Sequence, residues 1–159
     1  MAEKKIAAGG VIHSSRLDLV GVMSAPDQKG LIAAVFQELS REGLNAQFIV
    51  QSIDLNNEAH IQFCVDAGDS HQVMTAMQDV ADRVGARKIM VVEDVALLSV
   101  YGPDFRHRPG IAGLAFESLA EAGVNILATS TSISTVSCVV SETDYETALG
   151  AWRDVFALG

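Results

Sequence analysis

Cysteine, proline and aromatic residues are all scarce in this 159-residue chain. It contains two cysteines, three prolines and one tryptophan, and aromatic residues make up 6% of it. Cys64 and Cys138 each lie in an apolar, β-rich run, which predicts a buried side chain in a central strand rather than a catalytic or paired thiol. No Cys-x-x-Cys pair precedes a helix and the four histidines are scattered, so we predict neither a metal site nor a bound cofactor.

Positive charge is scarce as well. Lys and Arg total 11 against 20 Asp and Glu, which gives a formal net charge of -9. Such a chain repels phosphate backbones and anionic membrane surfaces, so we expect neither nucleic acid nor membrane as a partner. No apolar run approaches the roughly 18 residues of a membrane span, and the first fifteen residues lack the apolar stretch of a secretory signal. We therefore expect a cytoplasmic protein.

The most informative feature that is present is an internal duplication. Residues 30–53 and 110–133 align without gaps, eighty positions apart. The identical pairs are Gly30/Gly110, Phe36/Phe116, Leu39/Leu119, Gly43/Gly123, Asn45/Asn125, Ser52/Ser132 and Ile53/Ile133. Two copies are too few for a solenoid, so the duplication predicts two small domains that pack together.

Hydrophobic periodicity predicts the elements of each copy. In the first copy they are a strand at 16–24, a helix at 31–42, strands at 46–54 and 59–66, a helix at 70–84 and a strand at 87–92. In the second they are a strand at 95–101, a helix at 109–121, strands at 125–132 and 135–141, and a helix at 145–156. Pro109 is expected in the first turn of its helix. The order βαββαβ predicts an α+β, ferredoxin-like fold, with two helices covering one face of an antiparallel sheet.

The second copy lacks its last strand. After Phe156 only three residues remain, too few to cover the edge of the second sheet. The segment 4–13 precedes the first copy and is mildly β-like, so we predict that it crosses over to complete that sheet. The predicted domains are 15–92 for the first, and 1–14 plus 93–159 for the second.

Four stretches resemble tandem ACT domains, in the order found in the C-terminal regulatory half of aspartate kinases. They are APDQKG at 25–30, GLNAQFIVQSI at 43–53, RHRPGIAG at 106–113 and EAGVNILATSTSISTVSCVV at 121–140. The resemblance covers nearly the whole chain and includes the N-terminal strand that completes the second domain. It implies a non-catalytic regulatory protein, a homodimer that binds a free amino acid between ACT domains and controls an aspartate kinase catalytic chain. The sequence contains no kinase domain.

The loop before the first helix carries the groups that a free amino acid needs. Asp27 supplies a carboxylate for the ammonium, and the backbone N–H groups of Gly30, Leu31 and Ile32 lie in an opening helical turn without intrahelical acceptors. The alternative is that Asp27 only caps its helix. The resemblance completes this effector site with Gln51, Asn125 and the backbone of Ile126.

The resemblance also implies a second effector site. Its residues are Asn45, Ala46, His107, Gly110, Thr131 and Ser132. Lysine-regulated members of the family carry acids where this chain has Gln47 and Ile133, so the side-chain ammonium of lysine would be buried without a counter-charge, which costs several kcal/mol. Threonine, or another neutral amino acid of the aspartate family, is the expected effector rather than lysine. The second site either takes a neutral ligand or stays empty.

Other function classes fit the sequence less well. We find no nucleophile and base, carboxylate pair or metal cluster with the spacing of an active site. The third strand of each copy lacks the aromatic pair with which RNA-binding modules of this fold stack bases. The remaining alternative is an ACT-type module that dimerises without a ligand.

Overall fold

The computed structural model describes residues 4–158, which form eight strands and four α-helices. The strands are β1 (Ile6–Ala8), β2 (Gly10–Pro26), β3 (Gln47–Ile53), β4 (Glu58–Asp66), β5 (Lys88–Tyr101), β6 (Ile126–Thr131), β7 (Thr135–Ser141) and β8 (Phe156–Leu158). The helices are α1 (Leu31–Arg41), α2 (Ser70–Val84), α3 (Ile111–Glu121) and α4 (Tyr145–Val155). No helix within the described range is long and apolar enough to cross a membrane.

The chain divides into two compact units. The first unit is Arg16–Asp94, and the second unit comprises the chain up to Ser15 together with the chain from Val95. Strands β2 and β5 each contribute residues to both units. The predicted second domain also includes residues 1–3 and Gly159, which lie outside the described residues.

The first unit has the predicted ferredoxin-like order. Its strands lie in the order β3-β4-β2-β5, with β4 antiparallel to both β2 and β3. Its core joins strand residues such as Val20 and Phe63 to α1 and α2 through Val35 and Met77, all of them fully buried. Because both helices pack into this one core, α1 and the hairpin β3–β4 keep a fixed position relative to each other.

The second unit repeats this arrangement with a borrowed strand. Its order is β2-β5-β7-β6, so residues 10–15 of β2 take the place of the fourth strand, and the predicted crossover of the N-terminus is confirmed. Its core contains Leu98, Leu119 and Trp152, whose indole Nε1 donates to the carbonyl of Ala115 over 3.1 Å. The last residues were not expected to add a strand, yet β8 pairs in parallel with β1 as a separate two-stranded sheet.

Two strands are longer than the sequence predicts. The predicted strands 87–92 and 95–101 are one strand, β5, and the segment before residue 16 is continuous with β2. The polar residues at these joins look like breaks, but each join holds only one left-handed residue, Arg16 with φ 57° and Asp94 with φ 54°. A single such residue bends a strand without ending it.

The two cysteines lie where the sequence predicts. Cys64 is in β4 and Cys138 is in β7, each strand has a neighbour on both sides, and both residues are fully buried and free. Burial raises the pKa of each thiol to about 12. Both thiols are therefore protonated at neutral pH and serve as small core side chains.

Candidate functional site

The loop that precedes α1 starts the helix with a glycine instead of a capping side chain. Gly30 has φ 83° in the left-handed region, and no side chain in the described part of the chain caps α1. The alternative that Asp27 caps this helix is therefore not observed. Nothing lies within 4 Å of a Cβ built on Gly30, so the glycine is needed for its backbone conformation and not for space.

Two of the three predicted backbone donors are available. The N–H of Leu31 has no acceptor within the helix, but it donates to the carbonyl of Gln28 in the preceding loop over 3.3 Å, so it is not free for a ligand. The Leu31 side chain is 2% exposed and belongs to the core. The N–H groups of Gly30 and Ile32 have no hydrogen-bond acceptor among the described residues. They remain open at the positive end of the helix dipole.

Asp27 is held by its backbone while its side chain is exposed. Its N–H donates to the carbonyl of Asn57 in the β3–β4 turn, over 2.9 Å. Its carboxylate has no partner within residues 4–158. Asn57 could not be predicted from the sequence, because a contact made through a turn carbonyl leaves no residue-type signal.

The other predicted effector residues lie on separate elements. Gln51 is exposed on β3, the edge strand of the first unit, opposite Ile61. In the second unit, Asn125 is exposed directly before β6, and Ile126 pairs with Val140. The predicted effector site therefore draws on residues of both units, and its assembly remains a proposal.

In the second unit, a cleft of about 220 Å³ lies at the start of α3, the helix that corresponds to α1. It is lined by Phe105, Arg108, Gly110, Ile111, Ala112, Thr131, Ser132, Ile133 and Val136. Three predicted second-site residues, Gly110, Thr131 and Ser132, thus share one cleft. Gly110 starts α3 with φ 88°, as Gly30 starts α1, and Pro109 precedes this glycine instead of lying in the first helical turn as predicted. This volume is smaller than the roughly 300–1,000 Å³ of typical small-molecule pockets.

The cleft carries no negative charge. Its one charged lining residue is Arg108, and Ile133, the position where the resemblance implies an acid for lysine binding, is 69% exposed. Arg108 was not among the predicted site residues, although its place two positions before the glycine that starts α3 is visible in the sequence. His107 does not line the cleft, and its Nε2 accepts a hydrogen bond from Nε of Arg106 over 3.3 Å.

The remaining second-site residues, Asn45 and Ala46, do not line this cleft. Asn45 and Ala46 belong to the first unit, where they line a different cleft of about 320 Å³ beyond the end of α1. Phe36, Leu39 and Ile49 also line it. Asn45 and Ala46 therefore belong to one unit and Gly110 to the other, so no single unit contains the whole predicted second site. No cluster of metal-binding side chains occurs in the part of the chain that is described.

The chain is similar to proteins that carry ACT domains and to aspartokinases. A family model described as "ACT domain" matches residues 98–156. An aspartokinase of Mycolicibacterium smegmatis is 26% identical over 152 residues, which cover 94% of this chain and 36% of that protein. The chain thus spans a little over a third of the length of this curated relative.

Two solved structures have a similar fold over nearly the whole chain. The regulatory subunit of aspartate kinase from Thermus flavus has a TM-score of 0.83 and 25% identity, with 94% of this chain and 98% of that one covered. Aspartate kinase from Synechocystis has a TM-score of 0.89 and 27% identity, with 99% of this chain and 29% of that one covered. The second unit matches the ACT domain over residues 98–156, and the chain as a whole is similar to the regulatory region of aspartate kinases.

Proposed function

We propose that the chain is a non-catalytic regulatory protein that binds a free neutral amino acid, with threonine as the first candidate. The observation that carries the proposal is the loop from Asp27 to Gly30. It presents an unpaired carboxylate three residues before a left-handed glycine, and the N–H groups of Gly30 and Ile32 are open. A zwitterion has the two charges that such a loop complements.

The proposed contacts follow from charge. The ligand ammonium binds Asp27, and the ligand carboxylate binds the N–H groups at the start of α1, where the helix dipole favours an anion. An exposed ion pair contributes only about 0–1 kcal/mol. Asp27 therefore needs further partners that exclude water, and we assign this role to Gln51 and to Asn125 with the Ile126 backbone.

We propose that these partners come from two chains of a homodimer, with the first unit of one chain beside the second unit of the other. A ligand held by both chains stabilises that arrangement by its preference for it. Coupling of this kind is typically worth about 1–3 kcal/mol. The resulting shift is passed to a catalytic chain of the aspartate kinase type, a role supported by the similarity to the Thermus flavus regulatory subunit.

The charge of the second-unit cleft supports a neutral ligand over lysine. Arg108 and the exposed Ile133 line the cleft, and Gln47 is the residue where a second acid is expected for lysine. The side-chain ammonium of lysine would meet a guanidinium here instead of a carboxylate, which is unfavourable. We propose a second effector site made of Gly110, Thr131, Ser132 and His107 of one unit, completed by Asn45 and Ala46 from a neighbouring domain.

Thermal unfolding with and without L-threonine tests the first site. We expect L-threonine to raise the melting temperature of the wild type, and Asp27→Ala and Gln51→Ala to abolish that rise. The matched controls are Asp82→Ala and Gln78→Ala, which change exposed residues of α2 in the same way and should respond as the wild type does.

Two results would contradict the proposed site. Equal stabilisation of Asp27→Ala and wild type would remove Asp27 from it. The absence of stabilisation by any of the twenty amino acids, together with a dimer in sedimentation analysis, would instead support the ligand-free dimerisation module.

A further inference from the structure

His60, which is outside the predicted sites, connects the loop 25–30 before α1 to the hairpin β3–β4. Strand β2 has an irregular register between Val22 and Ala25, and Ser24 in this bulge has φ 55°. The Ser24 N–H leaves the strand ladder and donates to Nδ1 of His60 over 3.1 Å. Nδ1 accepts this bond only when it carries no proton, so the neutral ring has its proton on Nε2.

The second ring nitrogen fixes that tautomer. Nε2 of His60 lies 2.9 Å from Oδ2 of Asp54, and both side chains are partly shielded, with 23% and 35% exposure. The N–H on Nε2 therefore donates to the Asp54 carboxylate. This hydrogen bond is the largest cause of the lowered pKa of Asp54, because it favours the ionised carboxylate.

Asp54 also builds the turn that holds the far side of the loop. Its Oδ1 accepts the N–H groups of Asn56 and Glu58, over 2.8 and 3.1 Å. This turn presents the Asn57 carbonyl, which accepts the N–H of Asp27. The loop 25–30 is thus attached at two points. Ser24, just before the loop, bonds to His60, and Asp27 within the loop bonds to the carbonyl of Asn57.

Among the described residues of the second unit, no such arrangement occurs. Four residues before Cys64 is His60, whereas four residues before Cys138 is Ser134. The backbone carbonyl of Ser134 accepts the N–H of Gly102 over 2.8 Å, so the second loop is tied by a main-chain bond at this place. The histidine and carboxylate pair is a feature of the first unit, where the loop with the exposed acid lies.

We propose that His60, oriented by Asp54, is a positioning residue that holds the loop 25–30 in the geometry that presents the Asp27 carboxylate and the open N–H groups of α1. The effect on ligand affinity rests on the proposed function. The effect on loop geometry does not, because it follows from hydrogen bonds within the first unit.

Amide hydrogen exchange of the full chain by NMR tests the loop geometry directly. Since one net hydrogen bond is worth roughly 1 kcal/mol, we expect His60→Ala to speed exchange at Ser24 and Asp27 by about five- to tenfold. Leu98 in the second unit should not change. His60→Asn should restore protection of Ser24, because the Asn side-chain oxygen can accept where Nδ1 did. His71→Ala, at an exposed position of α2, is the control.

The imidazole nitrogen chemical shifts report the tautomer of His60 directly. At neutral pH we expect the His60 spectrum of the wild type to show Nε2 protonated and Nδ1 unprotonated. The opposite tautomer would overturn the proposal, even where a variant fails to fold.

The loop and ligand results are separable. Unchanged exchange at Ser24 and Asp27 in His60→Ala would overturn the proposal whether or not L-threonine binds. Faster exchange that His60→Asn reverses supports the positioning role, even if no amino acid binds the wild type, a result that counts against the proposed function only. If L-threonine binds the wild type and His60→Ala with equal affinity, the role in ligand binding is overturned.

Discussion

The side chain of Asp54 shows how much a single residue depends on its contacts. In the sequence it is one of 20 acidic residues, and it lies at the end of a predicted strand. In the structure it accepts hydrogen bonds from His60 and from two turn N–H groups. Nothing in the spacing of Asp54 and His60 indicates this, because their contact depends on how the hairpin turns between them.

The lowered pKa of Asp54 predicts an acid-sensitive turn. A carboxyl group whose pKa falls on folding stabilises the fold fully above its ordinary value of about 3.8, and that contribution is lost as the pH falls through the lower folded value. We expect the amide of Asn56 to lose protection in this acid range. Asp54→Asn should remove the pH dependence, whereas Asp82→Asn should keep it. A wild-type Asn56 amide whose protection does not change across this range would contradict the prediction.

The two cysteines give a second residue-level prediction. Because burial raises the pKa of both thiols to about 12, neither is a thiolate at mildly alkaline pH. We expect no reaction with Ellman's reagent in the native protein and the release of two equivalents after denaturation. Rapid modification of either cysteine in the native state would show that its strand opens.

The starts of α1 and α3 are the elements on which the proposed sites depend. Gly30 and Gly110 both have positive φ and open space around a Cβ, so replacement by alanine costs backbone strain without a clash. We expect each substitution to lower the unfolding free energy by about 1–2 kcal/mol, measured with urea. Gly113→Ala is the control, because Gly113 lies within α3, has no positive φ, and should gain roughly 0.5–1 kcal/mol. Equal effects at Gly110 and Gly113 would refute this account of the helix start.

The order of elements could be predicted because both copies carry the same periodicity and the same glycines at corresponding positions. Strand lengths could not, since the polar residues around Arg16 and Asp94 resemble turns and the structure passes through them with one left-handed residue each. Strand β8 was also missed. It has three residues, and its partner β1 lies at the other end of the chain. At the candidate site, the glycine and Asp27 were visible in the sequence, whereas the contributions of Asn57 and His60 arise only in the folded hairpin.

For the molecule as a whole, the N-terminal segment, which carries β1 and the borrowed end of β2, predicts that the two units differ in their dependence on the first residues. Ile6 is 7% exposed in the second-unit core, and the N–H of Gly9 donates to the carbonyl of Tyr101 over 2.7 Å. We expect deletion of residues 1–12 to reduce hydrogen-exchange protection of residues 95–141 more than that of residues 17–66.

Two point variants refine this prediction. Ile6→Ala should destabilise the second unit by about 2–5 kcal/mol, as for other buried isoleucines. Ile12→Ala, at a position 71% exposed, should change stability by less than about 0.5 kcal/mol. Unchanged protection of residues 95–141 after the deletion would mean that the borrowed strand does not hold the second unit together.

The central claim is that this chain binds a free neutral amino acid through the loop at Asp27. Isothermal titration calorimetry of the full chain, with each of the twenty amino acids in turn, measures this most directly. We predict saturable heat with L-threonine or another neutral amino acid of the aspartate family, no heat with L-lysine, and loss of the signal in Asp27→Ala. Absence of heat with every amino acid, or a saturable signal with L-lysine that Asp27→Ala retains, would contradict the claim.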